Sequence, residues 1–125
     1  MISKEQFQEA VIRSTWKETS FTPELWEEDN PTSGHCAVVA LLAQDIFGGK
    51  LLRASLDQTE FASLRSHYWN LLPDGTEIDF TQSQFGDRRP LLLGTVEREY
   101  LLQNDEVRKR YEALRIALLS NLAVK

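Results

Sequence analysis

Residues 36–47 constrain the fold most, because their sequence CAVVALLAQDIF is apolar almost all around a helix. A helix without a polar face is normally buried on all sides, and the following pair Gly48 and Gly49 is a typical helix end. Other parts of the chain must therefore enclose this helix. With 125 residues, of which 42% are hydrophobic, the chain is long enough for one such core. We expect a single domain that spans residues 1–125.

A helix is predicted near each end of the chain. Ser3 and Gln6 have the spacing of a capping box, and the apolar residues that follow recur at helical intervals to about Lys17. Near the other end, Asn104 or Asp105 is a suitable N-cap for an amphipathic helix. Its apolar residues recur at spacings of four, three and four: Val107, Tyr111, Leu114 and Leu118. Each helix is expected to place one apolar stripe on the core.

Short strands are predicted between these helices. Residues 50–56 are typical of a strand, and residues 64–71 and 76–81 are typical of a hairpin joined by the turn sequence LPDG. Residues 90–93 fit either a strand or a buried crossing segment. The expected fold class is α+β, with the buried helix that begins at Cys36 packed against a small antiparallel sheet.

Charge and cysteine content exclude several classes of function. The chain has 14 Lys plus Arg and 19 Asp plus Glu, and its net charge of -5 argues against nonspecific nucleic-acid binding. The basic run Arg108–Arg110 lies among acidic residues in a helical pattern, which indicates a solvated helix face. The longest apolar run, residues 37–43, is too short to span a bilayer, and the first residues lack the apolar stretch of a secretory signal. A single cysteine makes no internal disulfide, so we expect a cytoplasmic protein.

Cys36 is the first candidate for chemistry. It begins the buried helix, where backbone N–H groups without a helical partner and the positive end of the helix dipole favour a thiolate. A nucleophilic cysteine is well placed there. A single cysteine is also commonly a small buried hydrophobe, so the catalytic interpretation depends on its neighbours.

His67 and Asp79 lie on the two strands of the predicted hairpin. If Leu72 pairs with Thr76, Asp79 lies one diagonal step from His67 on the same face, about 7–8 Å away between backbones. A carboxylate beside an imidazole orients the ring, and the other ring nitrogen can accept a thiol proton. We therefore predict Cys36 as nucleophile, His67 as base and then acid, and Asp79 as the orienting group. The alternative is that the pair satisfies a core hydrogen bond and caps a turn.

Five separated blocks of the sequence resemble a known family. These blocks are SGHCAVVAL at 33–41, FGG at 47–49, SHYWN at 66–70, LPDGTEID at 72–79 and QF at 84–85. In this order they are similar to the YunG-like family of uncharacterised bacterial proteins. More distantly, a cysteine at a helix start followed by His and Asp on successive strands resembles the papain-like superfamily, including glutamine deamidases and transglutaminase-like enzymes. That resemblance implies a papain-like domain and amide chemistry at a Cys-His-Asp triad.

The papain-like resemblance also indicates where an oxyanion donor belongs. In papain-like peptidases a Gln six residues before the cysteine supplies this donor. Asn30 has that spacing here, within an irregular connection predicted over residues 19–34, but its amide side chain is shorter. The backbone N–H of Cys36 is the second candidate. His35 departs from the YunG-like pattern, in which Gln often precedes the cysteine.

Three further residues are expected near the predicted cleft. Gln82 and Gln84 follow Asp79 closely and are predicted to contact substrate, although polar residues after a strand are often ordinary loop residues. Trp69 shares the predicted strand face of His67. It is expected either to shield the imidazole and carboxylate from water or to belong to the core.

Two functions fit these residues. The first is a cysteine-dependent amide hydrolase or acyl transferase that acts on a peptide or protein as a peptidase, deamidase or transglutaminase-like enzyme. The second is a non-catalytic peptide- or protein-binding module with a papain-like fold. The residues His35, Cys36, His67 and Asp79 are acceptable metal ligands, but the chain lacks C-x-x-C and H-E-x-x-H spacings, so neither a metal nor another cofactor is expected.

Overall fold

The computed structural model describes residues 2–15, 35–55, 66–81 and 92–123, which form four helices and one antiparallel sheet. The helices are α1 (Lys4–Ser14), α2 (Cys36–Phe47), α3 (Arg98–Leu102) and α4 (Asp105–Ala123). The strands are β1 (Lys50–Ser55), β2 (Ser66–Leu71), β3 (Glu77–Ile78) and β4 (Leu92–Val96). The predicted α+β class and the small antiparallel sheet are confirmed.

Helix α2 begins and ends where its apolar composition predicts. Gly48 caps its C-terminus with φ 79°, and the Gly48 N–H donates to the Gln44 carbonyl at 2.9 Å. The helix contacts β1 and β2 as well as α4, and its residues from Val38 to Ala43 are all buried. Among the described helices, none has both the length and the apolar character needed to cross a membrane.

The sheet has the order β3-β2-β1-β4, so β2 lies between β1 and β3. His67 on β2 is opposite Ala54 on β1. At the turn, the Leu72 N–H donates to the Thr76 carbonyl at 2.8 Å, which confirms the predicted hairpin register. The sheet therefore holds His67 in an internal strand.

Strand β3 is shorter than the predicted strand 76–81, because only Glu77 and Ile78 pair with β2. The Asp79 carboxylate accepts hydrogen bonds from the backbone N–H of Thr81 at 2.9 Å and from its hydroxyl at 3.1 Å. Local bonds of this kind give the backbone an alternative to the sheet ladder. The chain consequently turns at Asp79 instead of continuing the strand.

Several predicted boundaries extend beyond the described residues. Helix α1 ends at Ser14, and its C-cap Thr15 has an extended backbone, so the helix is shorter than the predicted one that ends near Lys17. Residues 16 and 17, residue 56, residues 64 and 65 and the connection 19–34 lie outside the described ranges. Ser3 and Gln6 form the predicted capping box. The undecided segment 90–93 contributes the start of β4, with residues 90 and 91 outside the described ranges. The short helix α3 was not predicted, because its five residues carry no extended periodic pattern.

The chain after β3 is fixed against helix α1. The ring of Phe80 meets Phe7 edge-on with centroids 4.6 Å apart and stacks over Phe47 at 6.0 Å. The Gln8 side chain donates from Nε2 to the Phe80 carbonyl at 2.9 Å. Because Phe80 directly follows Asp79, these contacts fix the position of the carboxylate.

Helix α4 connects the other helices. The Asn104 side chain accepts from two backbone N–H groups of the first turn, so Asn104 is the N-cap. Of the predicted apolar residues, Val107 is half-buried and three are buried: Tyr111, Leu114 and Leu118. The Tyr111 hydroxyl donates to Asp45 on α2, and Asn121 donates to the Ser14 hydroxyl on α1 at 2.8 Å.

Candidate active site

Cys36, His67 and Asp79 come together in the structure. Cys36 is the first residue of α2, and its thiol forms a hydrogen bond with the imidazole of His67. The His67 Nε2 atom lies 2.5 Å from Oδ2 of Asp79. Because Nε2 is engaged by the carboxylate, Nδ1 is the ring nitrogen that serves the thiol. The order of groups is therefore thiol, imidazole and carboxylate.

A buried hydrogen bond fixes β2 on α2 close to this cluster. Asn70 follows His67 by three residues on β2, and its side chain is almost completely buried. Its Nδ2 atom donates to the Ala40 carbonyl at 3.0 Å, about one helical turn after Cys36. The strand that carries the imidazole and the helix that carries the thiol are thus joined within one turn of the site.

The two oxygens of Asp79 have separate partners. Oδ1 accepts both hydrogen bonds from Thr81, which is buried, and Oδ2 contacts His67. The carboxylate is 15% exposed and the imidazole is fully buried. This arrangement orients the carboxylate before any substrate binds, as an orienting group requires.

The environment of His67 favours its protonated form. Burial lowers the pKa of this imidazole, but the hydrogen bonds to Asp79 and Cys36 and the negative charges of the same groups outweigh burial and raise the pKa to about 9. An imidazole in water has a pKa of about 6.5. His67 is therefore an imidazolium at neutral pH, between two groups that can carry negative charge.

Trp69 covers one face of the imidazole. Its ring stacks on His67 with centroids 5.4 Å apart and an interplanar angle of 19°, which confirms the predicted common face. The indole N–H donates to Glu77 at 2.9 Å, and the side chain packs with Leu52 in a small apolar cluster. Trp69 thereby excludes water from this side of the His67–Asp79 pair and also contributes to the packing.

Helix α2, which begins at Cys36, has no side-chain cap at its N-terminus. His35 occupies the N-cap position and is fully buried, but its side chain makes no capping hydrogen bond. No acidic residue lies in the first turn of α2. The positive end of the helix dipole is therefore directed at Cys36 without a neutralising carboxylate in that turn.

The other predicted site residues lie outside the described ranges. They are Asn30, Gln82 and Gln84. Their contributions to oxyanion stabilisation and substrate binding stay predictions. The described ranges also contain no group of three or more His, Cys, Asp or Glu side chains that could hold a metal ion.

Arg110 differs from its two basic neighbours, although the charge pattern predicts a solvated helix face for all three. The solvated-face interpretation is correct for Arg108 and Lys109, whose side chains are exposed, but Arg110 is half-buried. Burial lowers the pKa of its guanidinium, and the negative charges of Cys36 and Glu106 act in the opposite direction. The spacing indicates this partial burial, because Arg110 lies three residues after Val107 and four before Leu114, on the edge of the apolar stripe.

Comparisons with known proteins show which sequences this chain resembles. A family model described as "YunG protein" matches residues 3–123. The curated "Uncharacterized protein YunG" of Bacillus subtilis (strain 168) is 29% identical over 100 residues, which cover 72% of this chain and 79% of that protein. No solved structure matches the chain.

Proposed function

The chain belongs to the YunG protein family, as its sequence blocks predict, and we propose that it is a cysteine-dependent enzyme that hydrolyses or transfers the acyl group of an amide. The observation that carries this proposal is the hydrogen-bonded series of Cys36, His67 and Asp79. A thiol nucleophile needs a base within hydrogen-bond reach and a third group that orients the base. Peptide hydrolysis, side-chain deamidation and transamidation all use this chemistry on peptide or protein substrates.

The first half of the proposed reaction forms a thioester. In the resting centre the proton of the Cys36 thiol lies on His67, as the raised pKa of this imidazole favours, and a lone pair of the thiolate sulfur forms a bond to the amide carbon. The π electrons of the carbonyl move to its oxygen, which becomes an oxyanion. When this intermediate collapses, the C–N bond breaks and the departing nitrogen takes the proton from His67.

The second half releases the acyl group. For hydrolysis a water molecule, and for transamidation an amine, loses a proton to His67 and attacks the thioester carbon. The C–S bond breaks, and sulfur leaves as the thiolate. Asp79 stays ionised in both halves, holds the ring in one orientation and stabilises the imidazolium each time it forms.

The order of the elements supports a papain-like form of the α+β domain. The thiol is at the start of the enclosed helix α2, the imidazole is on β2, and the carboxylate follows the neighbouring strand β3. The Cys36 backbone N–H, at the N-terminus of α2, is proposed as an oxyanion donor together with the Asn30 amide. Donors of this kind stabilise the charge that develops on the carbonyl oxygen.

The test is the reactivity of Cys36, which is the single cysteine of the chain. Its alkylation by iodoacetamide is followed by mass spectrometry from pH 5 to 10 in the unmodified chain and in His67→Ala, with folding verified by circular dichroism. The same thiol in the urea-unfolded chain gives the reference for an ordinary cysteine, and Cys36→Ser verifies the site of labelling.

We expect the folded chain to react at pH 6 at least about tenfold faster than the unfolded chain, since an adjacent imidazolium favours the reactive thiolate. His67→Ala is expected to remove this advantage. This result would justify a screen of peptide amides, glutamine side chains and amine acceptors. A thiol as slow as the unfolded reference, and insensitive to His67→Ala, would refute the enzyme and favour the non-catalytic binding module.

A further inference from the structure

Two aromatic rings and two carboxylates meet across the hairpin of β2 and β3. The rings belong to His67 and Trp69, which lie two residues apart on β2 and therefore on one face of the sheet. The carboxylates belong to Glu77, on β3, and to Asp79, which follows this strand. The register pairs Leu71 with Glu77, so Glu77 is diagonally opposite Trp69. The proposed reaction uses His67 and Asp79 and leaves Trp69 and Glu77 without a role in the chemistry.

The same arrangement of ring nitrogen and carboxylate occurs twice along this hairpin. The indole N–H of Trp69 donates to Oε1 of Glu77 at 2.9 Å, and Nε2 of His67 lies 2.5 Å from Oδ2 of Asp79. Because the indole is stacked on the imidazole, the carboxylate of Glu77 is connected to His67 through Trp69. Glu77 is exposed and Trp69 is buried, so this connection leads from the surface to the fully buried imidazole.

Two contacts hold the indole of Trp69 in its orientation. Leu52 is paired with Trp69 across β1 and packs against its side chain. The hydrogen bond to Glu77 fixes the ring edge that carries the N–H. A hydrogen bond to an ionised acceptor is roughly twice as strong as one between neutral groups. A rotation of the indole within its site would break this bond, so Glu77 determines which part of the ring faces His67.

The orientation of the indole matters because an aromatic ring has a negative face and a positive edge. The centroids of the Trp69 and His67 rings are 5.4 Å apart and the planes are inclined by 19°, so the indole presents its face to the imidazole. A cation over the face of Trp within about 6 Å of the ring centroid is stabilised by the cation–π interaction. The imidazolium of His67, which takes part in both halves of the proposed reaction, meets this condition. An indole that presented its edge would destabilise the same cation.

We propose that Glu77 is a positioning residue of this centre, which holds the indole of Trp69 face-on to His67 and thereby stabilises the imidazolium. This inference rests on the proposed function, in which His67 carries the proton that the leaving nitrogen receives, and it extends that function by one residue. Asp79 stabilises the imidazolium at Nε2, and Trp69 stabilises it from one ring face. Glu77 acts on His67 through Trp69 and not as a direct partner.

Other groups around His67 also enter its protonation. Burial lowers the pKa of the imidazole, whereas Asp79 after β3 and Cys36 on α2 raise it. The residue opposite His67 on β1 is Ala54, which has no titratable group. Glu77 is exposed, so a direct electrostatic effect of its charge on His67 would be screened by salt. An effect that depends on the orientation of the indole would persist in salt.

The test is a double-mutant cycle that is read from the protonation of His67. Long-range 1H–15N correlation spectra give the pKa of His67 in the unmodified chain, in Glu77→Ala, in Trp69→Phe and in the chain with both substitutions. Phenylalanine keeps an aromatic ring but has no N–H that Glu77 could hold. Glu77→Gln keeps an acceptor for the indole N–H and removes the charge. Asp74→Asn is the matched control, because it removes a carboxylate from the exposed turn of the same hairpin.

We expect Glu77→Ala to lower the pKa of His67 by about 0.5 to 1 unit, as the loss of a cation–π interaction at a buried ring implies. Trp69→Phe should lower it by a similar amount, and the double variant should show no further fall, because both substitutions remove the same interaction. Glu77→Gln should retain more than half of the stabilisation, and Asp74→Asn should leave the pKa of His67 nearly unchanged. Additive shifts, an equal loss in Glu77→Gln, or a shift that disappears in about 0.5 M NaCl would overturn the inference.

A second measurement keeps the test decisive if Trp69→Phe does not fold. In Glu77→Ala the indole N–H of Trp69 should exchange with solvent deuterium faster than in the unmodified chain, together with the fall in the pKa of His67. Faster exchange with an unchanged pKa would contradict the inference.

The His67→Ala labelling experiment tests the enzyme separately. An ordinary Cys36 thiol, together with a lower pKa of His67 in Glu77→Ala, would refute the proposed function and keep the role of Glu77 at the imidazole. A reactive Cys36 thiol, together with an unchanged pKa of His67 in Glu77→Ala, would refute this inference and keep the enzyme.

Discussion

Asp79→Asn tests whether the carboxylate controls the charge of the imidazole. Asparagine keeps a carbonyl oxygen that can accept the hydrogen bonds of Thr81, so the turn after β3 is preserved. The negative charge 2.5 Å from Nε2 of His67 is lost. The substitution therefore isolates the electrostatic contribution of Asp79 to the site.

The size of the effect follows from the geometry. An opposite charge at this distance shifts a pKa by about 1 to 3 units, and each unit corresponds to about 1.4 kcal/mol. The pKa of His67, about 9 in the unmodified chain, should then fall to between about 6 and 8. Burial is the largest contribution that lowers this pKa, and it is opposed in the variant by Cys36 alone.

Long-range 1H–15N correlation spectra from pH 5 to 10 measure this titration directly. The chain contains two histidines, so each variant gives at most two imidazole titrations to assign. Asp74→Asn is the matched control, because it removes one carboxylate from the exposed turn of the same hairpin. A pKa of His67 above about 8.5 in Asp79→Asn, or an equal shift in Asp74→Asn, would refute the reasoning.

The same change alters the dependence of stability on pH. The pKa of His67 is higher in the folded chain than in the unfolded chain, so protonation of His67 stabilises the fold fully below about pH 6.5. This contribution, on the order of 3 kcal/mol, is lost as the pH rises from about 6.5 through about 9. In Asp79→Asn the decline should be smaller and complete at lower pH. Urea unfolding at pH 6 and pH 9 measures the difference between the two chains.

Substitutions at Gly49 and Asn70 test how the site is held in place, and Gly75→Ala is the control for the first. At Gly49, with φ 86°, an added Cβ would lie 2.1 Å from the Leu71 carbonyl oxygen, so Gly49→Ala should cost at least about 2 kcal/mol of unfolding free energy. Gly75→Ala, with φ 90° and no atom within 4 Å of the added Cβ, should cost only about 1 kcal/mol, and equal losses in urea titrations would argue against the close approach. Asn70→Leu removes the donor to Ala40 between β2 and α2 and should cost about 1–3 kcal/mol. It should also slow iodoacetamide labelling of Cys36. Unchanged labelling would show that this hydrogen bond does not influence the geometry of the site.

The parts of the fold that sequence could predict are those with strong local signals. The sequence predicts the bounds of helix α2 correctly, because a segment that is apolar almost all around a helix ends at a glycine pair. The hairpin register follows from the turn sequence, and it brings Asp79 within reach of His67, although Asp79 lies just beyond the last paired residue of β3. These predictions use only the local sequence and do not require knowledge of any long-range contact.

Other features depend on contacts that a single sequence does not encode locally. Strand β3 ends early because the Asp79 carboxylate binds the backbone of Thr81, and the alternating pattern gives no sign of this competition. The partial burial of Arg110 depends on the packing of α4 against α1 and α2, which joins residues far apart in sequence. The charge pattern of the basic run alone predicts a solvated face, whereas the apolar stripe beside Arg110 indicates partial burial at that position.

Residues 79–81 are attached to helix α1, so the position of the Asp79 carboxylate depends on the first helix of the chain. Phe80 and its carbonyl are held by Phe7 and Gln8, so any event that detaches α1 also releases the carboxylate from the imidazole. Amide exchange at Phe7 and the protonation of His67 should therefore respond together to destabilisation. A bulky fusion or a binding partner that displaces α1 would therefore alter the reactivity of the thiol without contacting it.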